Sequence, residues 1–216
     1  SPELYCFSQR FRTRALGDFM ATQRRVLEEA YGGTFPVLAN FSDGAVYYAN
    51  FYGQGVDYFE LLDDPGQNAI WGEDWANCAS TYQCAAYNVD LMRAAARQRG
   101  QTIGHHLIAH AGRKAWDVKL KATSELARGV KILNNFHYGP SWGHHEGGPL
   151  WNCSLWYAKP ETWTSNAELT REVGAVEELL LTAMPAPAKV AILYSSSTDV
   201  WTVDGNPAFG FDRMHT

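Results

Sequence analysis

The sequence predicts an α/β protein with parallel strands, and favours part of a (β/α)8 barrel of the TIM type over a doubly wound open sheet. Three observations lead there. Short apolar runs alternate with longer segments of helical periodicity, the rhythm of a parallel sheet with crossover helices. No G-x-G-x-x-G follows any run, so the signature of a dinucleotide-binding doubly wound sheet is missing. Each run ends instead in polar or aromatic residues, and the C-terminal strand ends of a barrel gather at one mouth.

Taken in order, Leu16, Phe19, Met20, Leu27, Ala30 and Tyr31 fall near helical spacing, and Gly32-Gly33 supplies a stop. "FPVLANFSDG" from Phe35 reads as a buried strand. Val56, Phe59 and Leu62 share a helical face that Pro65-Gly66 breaks. "NAIWGEDW" from Asn68 is the second strand. Ser80 and Gln83 form an S-x-x-Q capping box for a helix that should end at Gly100. "QTIGHHLIAHAG" is the third strand. The next helix takes Asp117 as N-cap and ends at Gly129, and "VKILNNFHYGPSW" is the fourth strand. After a glycine-rich aromatic loop, Ser165 and Glu168 make a second capping box before a long helix. "PAPAKVAILYSSSTDVW" then reads as a proline linker, a fresh strand and a serine-rich turn. The expected division is residues 1–183 as partial barrel and 184–216 as linker and start of a second α/β domain. With Ser1 rather than Met at its start, and a new apolar run before its end, the sequence reads as a piece of a longer polypeptide.

Composition narrows the function classes. A formal charge of -5 argues against a nucleic-acid partner, which clustered Lys and Arg would serve. No window has the apolar length of a membrane span. Of the residues 13% are aromatic, with 8 Trp, a supply of flat apolar faces with polar handles that suits cores and sugar clefts alike. Cys6, Cys78, Cys84 and Cys153 contain no C-x-x-C pair, so a zinc ribbon is not expected.

The candidate site residues lie at the strand ends. Glu73 and Asp74, between Trp71 and Trp75, are the catalytic candidates: a carboxyl desolvated beside an indole gains the raised pKa of a general acid. The competing reading solvates both acids or pairs them with helix arginines such as Arg93. Strand alternation sends His106 and His110 to one face and His105 to the other. Asn135, His137, Tyr138 and Trp142 close the fourth strand with the donors and flat faces of a sugar cleft. The substrate-binding set is therefore Trp75, His106, His110, Asn135, His137, Tyr138 and Trp142, against a reading in which Trp75, Phe136 and Tyr138 fill the interior. No tight ligand spacing calls for a metal, and no cofactor is expected.

"DLMRAAARQRGQTIGHHLIAHAG", "KLKATSELARGVKILNNFHYGPSW" and "KVAILYS", in that order, resemble the second half of a clan A glycoside hydrolase barrel. The layout is similar to that of the beta-galactosidases of glycoside hydrolase family 42, over roughly residues 35 to 201. The resemblance implies barrel strands five to eight followed by the start of a flavodoxin-like domain. It also implies a galactoside or related saccharide as ligand. The family's nucleophile Glu closes strand seven; here that run holds no carboxylate, and Ile108 falls near its place. Two further readings therefore stand beside the hydrolase: a saccharide-binding or assembly protein without turnover, and a metal-dependent hydrolase using the histidines. A partial barrel leaves open edges, so a homo-oligomer, or association with the rest of the barrel, is expected.

Overall fold

The computed structural model describes residues 1–41, 55–63, 67–73, 82–108, 114–137 and 160–201. Within them the chain is α/β, with parallel strands. Its elements are α1 (Pro2–Tyr31), α2 (Tyr58–Asp63), β1 (Ala69–Gly72), α3 (Tyr82–Ala96), β2 (Thr102–Ile108), α4 (Ala115–Ala127), β3 (Ile132–Phe136), α5 (Pro160–Gly174), α6 (Glu177–Thr182) and α7 (Ser196–Trp201). The sheet order is β1-β2-β3. Two compact units are distinguished: residues 1–72, 91–102 and 186–216, and residues 73–90 and 103–185.

In the first unit α1 starts far earlier than its apolar spacing suggested. Ser1 caps it through its hydroxyl oxygen, 3.3 Å from the Leu4 amide, and Pro2 occupies the first turn, where its missing N–H costs nothing. Gly32, in the left-handed region at φ 69°, ends the helix as expected. The buried positions of α1 are Gln9 and Thr13, while Leu4, Phe7, Phe11, Phe19 and Val26 are each more than half exposed. The helix packs on α2 and α7 through its polar side. Gly55, at φ 71°, passes the α1 backbone so closely that a Cβ there would meet the carbonyl of Arg12 at 3.3 Å.

Two expected strands are not ladder strands. The run from Phe35 contributes a single parallel bridge, Asn40 to Trp71, and its last residues lie outside the described set. Lys189 to Ser195 forms no strand; Val190, Ile192 and Leu193 are 82%, 68% and 91% exposed, and no strand among the described residues covers them. The serine-rich segment expected as a turn begins the short helix α7.

In the second unit β2 and β3 pair in parallel, Gly104 with Ile132 through Ile108 with Phe136. Between them α4 crosses over. Its N-cap is Lys114 rather than Asp117: Asp117 sits at the third helical position, and its carboxylate accepts from the Lys114 amide at 2.8 Å. The Ser165–Glu168 capping box is also not one. The helix starts at Pro160, Ser165 is buried inside it and donates to the Ala115 carbonyl at 2.9 Å, and Glu168 pairs with Lys119 at 2.9 Å. The Ser80 box precedes the described part of α3; that helix does end at a left-handed Gly100, after a 3-10 turn. Leu107, Ala122 and Leu169 form the core between sheet and helices, with Leu133 and Val173 against it.

Candidate functional site

Strand β2 is buried on both faces, and the two-residue period divides its histidines. His105 turns with Leu107 toward α4. His106 turns the other way, where its registered partner is Asn134 and its neighbour is Phe136.

On the helix side His105 Nδ1 lies 2.8 Å from a carboxylate oxygen of Glu125, and both side chains are essentially excluded from water. Among the described residues, neither ring nitrogen of His105 and neither carboxylate oxygen of Glu125 makes a hydrogen bond. Lys121, one helical turn before Glu125, brings its ammonium to 3.8 Å. A histidine, a carboxylate and an ammonium thus form a buried ionic cluster under the sheet. The sequence reading missed Lys121 and Glu125; their i, i+4 spacing, on the side of α4 that also carries Val118 and Ala122, was the available signal.

On the opposite side His106 is 8% exposed. Asn134 Nδ2 lies 3.0 Å from its Nδ1, and the Phe136 ring meets it edge-on at 5.9 Å. Burial pushes the His106 pKa down to about 4, with the charges of His105 and Lys121 adding to the effect. Glu73, immediately after β1 and 4% exposed, pulls the other way, as Glu125 does more weakly. His106 is therefore neutral near pH 7, and the Glu73 carboxyl lies within electrostatic range of it.

The structure brings together Glu73 and His106 from the sequence-derived set, and adds Asn134 and Phe136. Asn135 pairs in register with Leu107 and so belongs to the helix-covered face, where its side-chain oxygen Oδ1 is buried without a hydrogen bond among the described residues. His137 follows β3, its ring against Phe136 at 4.8 Å. Asp74, Trp75, His110, Tyr138 and Trp142 lie outside the described residues, as does the side chain of Cys84. Among the described residues no group of three His, Cys, Asp or Glu is placed to hold a metal ion, and no helix is long and apolar enough to cross a membrane.

The chain matches no protein-family model, and neither a curated protein nor a solved structure matches it.

Proposed function

We propose that the His106 face belongs to a saccharide site in a glycoside hydrolase-like protein, with Glu73 as its acid or base and a galactoside or related sugar as ligand. One observation supports this reading above the others: a buried carboxyl, Glu73, acts electrostatically on a histidine that burial keeps neutral. A carboxylate that accepts and an imidazole N–H that donates form a complementary pair for sugar hydroxyls, and Phe136 beside them offers a flat apolar face. In this reading the run from Phe35 and strands β1, β2 and β3 correspond to barrel strands five to eight, and Asp74 would adjust the electrostatics of Glu73.

A second reading, saccharide binding without turnover, draws on Ile108. This residue, near the place of the expected strand-seven nucleophile, is 1% exposed and pairs in register with Phe136. Glycosidic hydrolysis in its usual form needs two carboxyl groups flanking the bond, and β2 contributes none.

The test is calorimetric titration with a saccharide panel, beside turnover of nitrophenyl glycosides, in the parent chain and in Glu73→Gln. Turnover that falls at least ~100-fold in the variant while binding persists supports hydrolysis. Binding without turnover in both supports the second reading. No saccharide binding by the parent chain removes both.

For the partner we propose a second copy of the chain, meeting the first along α1. At 100° per residue Leu4, Phe7, Phe11, Ala15, Phe19, Thr22 and Val26 fall within a stripe about 120° wide, and all seven are exposed. An antiparallel pairing about Ala15 sets Leu4 against Val26 and Phe11 against Phe19, with the smallest side chain at the crossing. Along one flank the same register sets Glu3 near Arg25 and Arg14 near Asp18 of the other copy, so the charges complement each other.

A further inference from the structure

We propose that the cleft bounded by α1, α2 and α7 binds a small organic amine, its ammonium group held between Asp57, Glu60 and the amide oxygen of Gln9. The cleft lies wholly in the first unit and is independent of the His106 face. It encloses about 190 Å³, roughly six waters at about 30 Å³ each in the liquid. That is room for an ammonium group with a short carbon chain, and far more than a bare ion fills.

The lining is built rather than incidental. Gln9, Thr13 and Asp57, at 6%, 6% and 7% exposed, are buried polar side chains on two different helices or their caps. Asp57 directs one carboxylate oxygen at the start of α2, accepting from the amides of Phe59 at 2.9 Å and Glu60 at 3.3 Å. Ser196 of α7 adds a hydrogen bond to the same side chain. The Thr13 hydroxyl, 3.0 Å from the Arg10 carbonyl, contacts one oxygen of Glu60. Gln9 lines the cleft with an amide that meets no hydrogen-bond partner among the described residues, although the residue is more than nine-tenths buried.

The charge balance identifies the ligand class. Two carboxylates share a poorly hydrated pocket, and both burial and the neighbouring Glu60 charge raise the pKa of Asp57. An ammonium supplies a counter-charge and three donors, which Glu60, Asp57 and the Gln9 carbonyl can accept. An anion would be repelled by both acids. A neutral polyol would leave the two carboxylates with Arg10, at the rim, as the cation that lines the cleft with them. A divalent cation would find only two carboxylates, in a space too wide to close around it. Arg10, exposed at the rim, would meet any acidic group carried at the far end of the amine.

The experiment is calorimetric titration of the whole chain with n-propylammonium chloride, compared with sodium propionate and with calcium chloride. Propylammonium is expected to bind with unit stoichiometry, at least ~10-fold more weakly in Asp57→Asn and several-fold more weakly in Gln9→Leu. Because Asp57 also caps α2, Glu60→Gln serves as the variant that keeps the cap, with the same loss expected. Binding should also weaken as pH falls and Asp57, whose pKa burial raises, takes up a proton. Binding of propionate or calcium in preference to the amine, or amine binding unchanged in Glu60→Gln and Gln9→Leu, would overturn the proposal.

Discussion

Asn134 and His106 face each other across the β2–β3 register, amide nitrogen 3.0 Å from ring Nδ1. An amide nitrogen only donates, so Nδ1 accepts and the neutral ring carries its proton on Nε2. One side chain of β3 thereby sets which nitrogen of a β2 histidine is the donor. The arrangement holds only while His106 is neutral, and burial keeps it so down to about pH 4.

That depressed pKa makes stability depend on pH in a stated direction. Above about pH 6.5 the ring is neutral in both folded and unfolded chains, and its contribution is complete. As pH falls through 6.5 the unfolded ring takes up a proton that the folded ring refuses. The loss continues to about pH 4 and then levels off, at about 3 kcal/mol in all. Denaturant unfolding at pH 7.5, 5.5 and 4 measures the loss, and NMR titration of the ring should show a midpoint near 4. A midpoint near 6.5 would show His106 to be water-exposed.

Glu73→Gln should move that midpoint lower still. The Glu73 charge favours protonated His106, and of the charges acting on the ring it is the strongest. Its removal takes away the largest force opposing desolvation. The same NMR titration reads the shift, separately from any assay with sugar, and an unmoved midpoint would place the carboxyl out of reach.

Asn134→Leu should cost about 1 kcal/mol, the net value of one hydrogen bond, and should release the tautomer. The ring nitrogen shifts should then report a mixture of Nδ1–H and Nε2–H forms, where the parent chain shows the Nε2–H form alone.

Glu125→Ala should be the most damaging of these changes. It leaves His105 and Lys121 buried without their shared carboxylate, a loss of about 3–5 kcal/mol. Replacing His105, Lys121 and Glu125 together by apolar residues of similar volume should recover most of that, because no unpaired charge then remains inside. Chemical denaturation of the two variants separates an ionic requirement from a requirement for filled volume.

Phe11→Glu should keep the chain monomeric if α1 is the association surface. Light scattering behind size exclusion should show a dimer for the parent chain. Ala15→Cys should give a disulfide-linked dimer on mild oxidation, beyond any formed by the parent, since the pairing brings position 15 opposite itself. A monomeric parent chain would refute the pairing.

The parallel α/β rhythm was legible because β-type and helical periods differ. "AIWG", "TIGHHLI" and "ILNNF" each became a strand, and Gly32 and Gly100 each ended a helix at a left-handed residue. The division of His105 from His106 followed from the two-residue period alone. Other features depend on tertiary partners that local sequence does not name. "KVAILY" has every mark of a strand, yet it pairs with no strand among the described residues, and Val190, Ile192 and Leu193 stay exposed. Asp117 looked like a cap because aspartates often are, whereas here the side chain reaches back to the true cap from inside the first turn. Helix α1 was read too short because its first half buries Gln9 and Thr13, and a polar buried face gives no apolar period to follow.

Gly55 carries a consequence for ancestry. With its backbone in the left-handed region and pressed against Arg12, the position admits no side chain without moving the first helix. A homologue that keeps this junction is expected to favour glycine there, because another side chain would be strained at this φ and would displace the Arg12 backbone by a few tenths of an ångström. A search for distant kin would do well to weight that single position above the more conspicuous tryptophans.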